Sequence, residues 1–287
     1  MTEHILSLSY GKDSLACLGA IEELGWPLDR IVHAEVWATD TIPADLPPMV
    51  EFKAKADKII KERWGIEVEH ISVTKNGEKW TYEKNFYKCV TPENLQKRIA
   101  NENWVNRGIL NIYGFPSRKG PWCNKLKFRG SVGWNGAVTY AGIAADEPKR
   151  IARWTEKLEL PLVKIGWTEA DCQRWCEEND LLSPIYTTAT RGGCWFCHNQ
   201  GVGQLRLLRK NYPELWALML KWDKDSPVTF KADGHTVHDF DRRFQLEDEG
   251  LIYPDDKGFR WDMLDKDLNY RCFERRTTHE HDEGRSD

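Results

Sequence analysis

The stretch HILSLSYGKDSLACLGAIEEL, residues 4–24, constrains the fold more than any other part of this chain. Residues 4–9 form an apolar, strand-like run. A short turn with one glycine follows, and residues 15–24 then read as a helix with Leu15, Leu18 and Ile21 on one face. A second strand is predicted over 30–36, ending at ATDT (residues 38–41) and the proline-rich IPADLPP. A helix over 49–64, stopped by Gly65, leads to a third strand at 66–73, and 137–143 supplies a fourth. Strand, helix, strand, helix, strand is the order of an α/β fold built on a parallel sheet. Such sheets bind ligands at the carboxyl ends of their strands. Four turns fall there: SYGKDS, ATDT, the end of SVTKN, and GIAADE.

SYGKDS is built to hold an anion. A strand, a glycine turn and a helix start gather backbone N–H groups around one site. Lys12 adds a cation, and Ser9 and Ser14 add hydroxyls. The loop is not a Walker A loop, because Asp13 follows the lysine where Ser or Thr is needed. An aspartate beside a phosphate makes sense if it holds Mg²⁺; otherwise it caps the helix.

The texture changes after Gly166. Thr168 and Asp171 mark a helix start, and Cys172, Trp175 and Cys176 share one face of that helix. The glycine-cysteine turn RGGCWFC spans 191–197. A helix with Leu205 and Leu208 among Arg206, Arg209 and Lys210 comes next, and Pro213 starts another in which Leu215 and Leu218 share a face. From about residue 225 the chain reads as polar. The expected division is an α/β nucleotide-binding domain over 1–165 and a mainly helical, cysteine-bearing region over 166–287. No apolar run is long enough for a membrane span, and a cytoplasmic location is expected. The net charge of −4 gives no global footprint for nucleic acid.

Eight cysteines in a cytoplasmic chain suggest metal ligands or catalytic thiols rather than disulfides. Cys194 and Cys197 form C-x-x-C on a Gly-Gly turn, half of a metal site. Cys123, among Lys119, Lys125 and Lys127, is the expected third ligand, with a thiol pKa lowered by those lysines. Cys176 is the expected fourth, with His198 able to replace it. Four such ligands suit a [4Fe–4S] cluster or zinc. Cys17, Cys89, Cys172 and Cys272 read as core thiols, and His235 and His238 as a solvated turn.

Ser-x-Gly-x-Asp-Ser directly after the first strand resembles the PP-loop of the adenine nucleotide alpha-hydrolase-like superfamily. More narrowly, the chain resembles the phosphoadenosine phosphosulfate (PAPS) reductase family, through SYGKDS, ATDT, IYGFP with WCNKLK, GIAADEPKR and GCWFC in family order. The resemblance implies an adenine nucleotide, ATP with Mg²⁺ or PAPS, on a loop of Ser9, Tyr10, Gly11, Lys12, Asp13 and Ser14. It implies that Asp40 and Thr41 border the adenosine. Gly142, Asp146, Glu147 and Arg150 would sit over the phosphates. Ala144 stands where the family often has arginine, which removes one phosphate contact.

The leading expectation is an ATP-dependent sulfur-inserting enzyme in which Lys12, Asp13 and Cys123 act in catalysis and a [4Fe–4S] cluster takes part. A sulfonucleotide reductase is the close alternative, weakened because there is no Glu-Cys-Gly-Leu-His tail and Cys123 stands alone. A zinc-stabilised nucleotide-binding module is the third reading. A nucleic-acid substrate is expected from Arg206–Lys210 with Arg107, Arg118, Lys119 and Arg129, and a sulfur-donor protein is the expected second partner.

Overall fold

The computed structural model describes residues 2–88, 93, 96, 100, 114–116, 122–128, 136–154, 158–188, 193–254 and 259–265. It comprises two compact units, residues 1–88 with 121–197 and residues 89–120 with 198–287.

In the first unit the chain runs β1 (His4–Ser7), α1 (Lys12–Leu24), β2 (Arg30–Glu35), α2 (Pro47–Trp64) and β3 (Val68–Ser72). A small hairpin of β4 (Thr74–Lys75) and β5 (Glu78–Lys79) and the short helix α3 (Tyr82–Phe86) follow. Next come α4 (Asn124–Phe128), β6 (Val138–Ala141), α5 (Pro148–Trp154), α6 (Pro161–Ile165), α7 (Glu169–Glu178) and α8 (Ile185–Thr188). The main sheet has the order β3-β2-β1-β6 with every pair parallel, as the sequence pattern predicts. The chain moves outward from β1 through β2 to β3, then returns to the other flank of β1 as β6. The strand order therefore reverses at β1, and in sheets of this kind the ligand crevice lies beyond the carboxyl ends of the strands at that reversal, here β1 and β6.

Helix α1 is buried over every residue from Ser14 to Ile21. Leu15, Leu18 and Ile21 each contribute about 1.5–3 kcal/mol by burial. Helix α1 packs against α6 and α7, and this contact puts 166–197 in the first unit rather than with the C-terminal region. Gly19 allows the approach: a Cβ there would lie 2.4 Å from the Trp175 indole of α7. Thr168 and Asp171 cap α7 reciprocally, as their spacing predicts.

The second unit contains α9 (Val202–Asn211), α10 (Pro213–Asp225) and α11 (Val237–Asp248). Leu215, Trp216, Met219 and Trp222 form the buried face of α10, with Leu218 half-buried at its edge. Helix α11 lies in the stretch that reads as polar. Its buried Val237, Phe240, Phe244 and Leu246 are spaced for a helix, but charged residues between them dilute the pattern. No described helix is long and apolar enough to cross a membrane.

Candidate functional site

The SYGKDS loop lies in the crevice at the reversal of strand order. Tyr10 turns the chain with φ 57°, and Gly11 caps α1 without a side chain. The serines shape the loop from within. Ser14 Oγ accepts from the Ser9 amide at 3.1 Å and the Ser9 hydroxyl at 3.0 Å, and donates to the Gly11 carbonyl at 2.9 Å. The Lys12 amide, the first N–H of α1, donates to the Tyr186 hydroxyl at 3.1 Å. Gly142 closes the other wall. A Cβ there would lie 2.5 Å from the Ser14 nitrogen and 2.6 Å from the Asp13 carbonyl carbon and oxygen, so the GIAADE turn rests on the start of α1.

Acidic groups gather at this loop. Asp13, Glu147 and Glu169 each bring a carboxylate oxygen within 4.8 Å of the others. Lys12 Nζ is 2.6 Å from Asp13 and 3.8 Å from Glu169, and Arg150 reaches Glu147 at 2.6 Å. Burial pulls the Lys12 pKa down, but the Asp13 hydrogen bond and the charges of Asp13 and Glu169 outweigh it, so Lys12 remains firmly cationic. Three hard oxygens suit Mg²⁺, and Lys12 and Arg150 offset two of their three charges. Asp146 accepts from the Glu169 amide at 3.0 Å and so caps the start of α7.

The Tyr10 ring is buried beneath the loop and faces the core. Its hydroxyl meets Asp57 of α2 and lies 3.1 Å from His70 Nε2. His70 also pairs with Asp57 at 2.9 Å and lies 3.9 Å from Glu35. Asp57 and Glu35 raise His70 to about 9, and His70 holds Glu35 near 2. His33 Nδ1 lies 2.9 Å from the Leu8 carbonyl and must carry the proton there, so its Nε2 accepts from Lys53 at 2.7 Å. Burial and the Lys53 charge push His33 down to about 4, which keeps it neutral. Lys53 in turn pairs with Asp45.

The cysteine turn attaches to this network. The Trp195 amide donates to the Ala44 carbonyl at 3.0 Å, and its indole N–H to the Pro43 carbonyl at 2.9 Å. The turn therefore hangs beside the carboxyl end of β2. Cys194 and Cys197 are bridged by the Cys197 amide on the Cys194 carbonyl at 3.0 Å. Cys123 lies near enough that a charge on Cys197 raises its pKa, and Lys127 stands near all three sulfurs. Burial pushes Cys194 up to about 11, against the pull of Lys127. Cys123 is likewise raised, not lowered as its neighbouring lysines suggest, because desolvation outweighs Lys127. Tyr82 and Phe196, with ring centroids 4.1 Å apart, and Trp122 line this group.

Cys176 stands apart from these three. It is fully buried between α7 and α1, and its thiol donates to the Lys12 carbonyl at 3.3 Å. Burial and Cys172 push it up to about 12, so it stays protonated. It is a core thiol, like Cys17 and Cys172. Asp40 pairs with Lys84 at 2.8 Å, and Thr41 is exposed in the same turn. The basic helix expected to meet nucleic acid is largely engaged. Arg206 pairs with the buried Glu247, and Arg209 with Asp241 at 2.9 Å and Asp248 at 2.6 Å. Arg107, Arg118, Lys119, Arg129, Cys89 and Cys272 lie outside the described residues.

Tyr186, Glu169 and the set of buried Lys53, half-buried Asp45 and Asp57, and exposed His70 carry no motif. Only their spacing in three dimensions identifies them.

No family model matches the chain, and no curated protein matches it. Among solved structures it is similar to the U34-tRNA thiolase NcsA from Methanococcus maripaludis with its [4Fe-4S] cluster, at 15% identity and a TM-score of 0.32 over 85% of this chain and 72% of that one.

Proposed function

We propose that this protein is a PP-loop ATP pyrophosphatase that adenylates its substrate for sulfur transfer. One observation carries the reading: the Trp195 hydrogen bonds to Pro43 and Ala44 suspend the Cys194–Cys197 turn beside the carboxyl end of β2, the sheet neighbour of β1, which carries the phosphate loop. A phosphate loop and a group of thiols at one edge of a sheet suit a reaction that uses both.

The chemistry balances as two displacements. An oxygen of the substrate attacks the α-phosphorus of ATP, the α–β anhydride breaks and pyrophosphate leaves. A sulfur nucleophile then takes the carbon that bore the oxygen, and AMP leaves. Lys12 and the amides at the start of α1 bind the anionic oxygens. Asp13, Glu147 and Glu169 would hold Mg²⁺ against the phosphates. Asp40 and Thr41 would border the adenosine.

Cys123, Cys194 and Cys197 are a soft donor set that fits iron–sulfur or zinc chemistry, and three ligands leave one position open. A [4Fe–4S] cluster held by these thiols would supply the sulfur-binding chemistry of the second displacement. The aromatic side chains of Tyr82, Phe196 and Trp122 shield the thiols in part, each cysteine being half-buried. The acceptor would be a nucleic acid, and a sulfur-donor protein would restore the sulfur.

Iron, acid-labile sulfide and zinc per chain, measured after purification without oxygen, test the reading. About four irons with matching sulfide are expected, lost in Cys194→Ala and kept in Cys176→Ala. ATP should release pyrophosphate, and Lys12→Ala should abolish that release. One zinc without sulfide would sink the cluster mechanism, and loss of the metal in Cys176→Ala would sink the three-thiol assignment.

A further inference from the structure

We infer that Tyr186 is a phosphate-contacting residue of the nucleotide site. The inference rests on the nucleotide reading above and adds a ligand to it from a part of the chain that no phosphate-loop motif includes.

The Lys12 amide is the first of the donors that an α-helix leaves unpaired at its start. In a phosphate loop this donor points at an anionic oxygen. Here it points at the Tyr186 hydroxyl at 3.1 Å, across 174 positions of sequence. The phenol oxygen thus stands where a phosphoryl oxygen would be held. The loop backbone runs close past the phenol: a Cβ at Gly11 would lie 3.4 Å from the hydroxyl, at ordinary contact distance.

A hydroxyl that accepts one hydrogen bond still has its own proton to donate. A phosphoryl oxygen makes the stronger, charge-assisted bond to the Lys12 amide and takes the phenol's place as acceptor. The displaced hydroxyl is then the immediate neighbour of that anion and can donate to it. Burial raises the Tyr186 pKa, so the proton remains on the oxygen. Lys12 Nζ binds the same anion as a point charge, and the phenol adds direction.

Tyr186→Phe removes only the hydroxyl and keeps the ring. The full-length protein and the variant are titrated with ATP, inorganic pyrophosphate and adenosine in Mg²⁺ by calorimetry, with thermal melts as a check on folding. The expected result is a loss of about 10- to 100-fold in affinity for both ATP and pyrophosphate, with adenosine affinity unchanged. Unchanged or tighter ATP and pyrophosphate binding would overturn the proposal, because the phenol would then be only a cap that steps aside. An equal loss for adenosine would overturn it too, by showing a structural role. If the wild type bound pyrophosphate but not ATP, the nucleotide reading would fall while the effect of the variant on pyrophosphate still decided the role of Tyr186. If the wild type bound neither, both would fall.

Discussion

Replacing Gly142 by alanine places one methyl group against backbone that cannot turn aside. The new Cβ would lie 2.5 Å from the Ser14 nitrogen, 2.6 Å from the Asp13 carbonyl carbon and 2.6 Å from its oxygen. Ordinary contact begins at 3.4 Å, so the GIAADE turn and the start of α1 must separate by about 0.9 Å. Overpacking of this kind costs about 1–3 kcal/mol. For a protein of this size that lowers the melting temperature by roughly 2–10 °C. The larger effect is expected on ligand binding. The first amides of α1 and the Glu147 carboxylate lie on the two sides of the contact, and a shift of that size breaks a hydrogen bond. Losing one bond to a charged phosphate costs about 1.5–3 kcal/mol, roughly 10- to 100-fold in affinity. Calorimetric titration with ATP and Mg²⁺ reads this directly, beside a thermal melt. Gly203→Ala is the control, since nothing lies within 4 Å of a Cβ there and the position is helical. It should stabilise slightly and leave binding alone. Wild-type affinity and melting temperature in Gly142→Ala would refute the close approach of the two turns.

The ionisable groups around Tyr10 set a pH optimum. Glu35, held near 2, contributes stability that is present above its unfolded value of about 4.5 and is lost as pH falls toward 2. His33, pushed down to about 4, takes up a proton more readily unfolded than folded, so stability also falls from about pH 6.5 toward 4. His70, raised to about 9, contributes fully below its unfolded value of about 6.5, and that contribution, weakened by solvent screening of its exposed ring, is lost between 6.5 and 9. Thermal melts should therefore peak near neutrality, with the alkaline decline absent in His70→Gln; identical alkaline slopes would refute the assignment. In the second unit, Glu247 is 2% exposed and accepts from both Arg206 and Arg243. Glu247→Ala should cost about 3–5 kcal/mol by leaving Arg243 uncompensated, and a denaturant midpoint that barely moves would contradict it.

Much of the first unit is legible in the sequence because its signals are local. An apolar strand, a glycine turn and a helix face are each written within a few residues, so β1, α1, β2, α2, β3 and β6 follow from pattern alone. The parallel order follows from their alternation, and Cys194 with Cys197 follows from two cysteines on one turn. Helix α11 is missed because its apolar spacing is diluted by charge. Its buried Arg243 reads as surface until Glu247 is seen beside it.

What the sequence by itself determined was the kind of site: a glycine loop at a strand end with a lysine and an aspartate, and thiols in a soft-metal spacing. What tertiary structure alone decided was the membership of that site. Cys176 lies in the same stretch of sequence as the Cys194–Cys197 turn, yet burial against α1 keeps it protonated and bonded to Lys12. Cys123 is flanked by lysines, yet desolvation governs its thiol. Tyr186 and Glu169 join the phosphate loop from far along the chain, because α7 packs on α1 and brings the segment after it to the start of that helix. The physical reason is common to all of these. Residue type and spacing along the chain are local, whereas burial and the distance between charges depend on every element packed around a group.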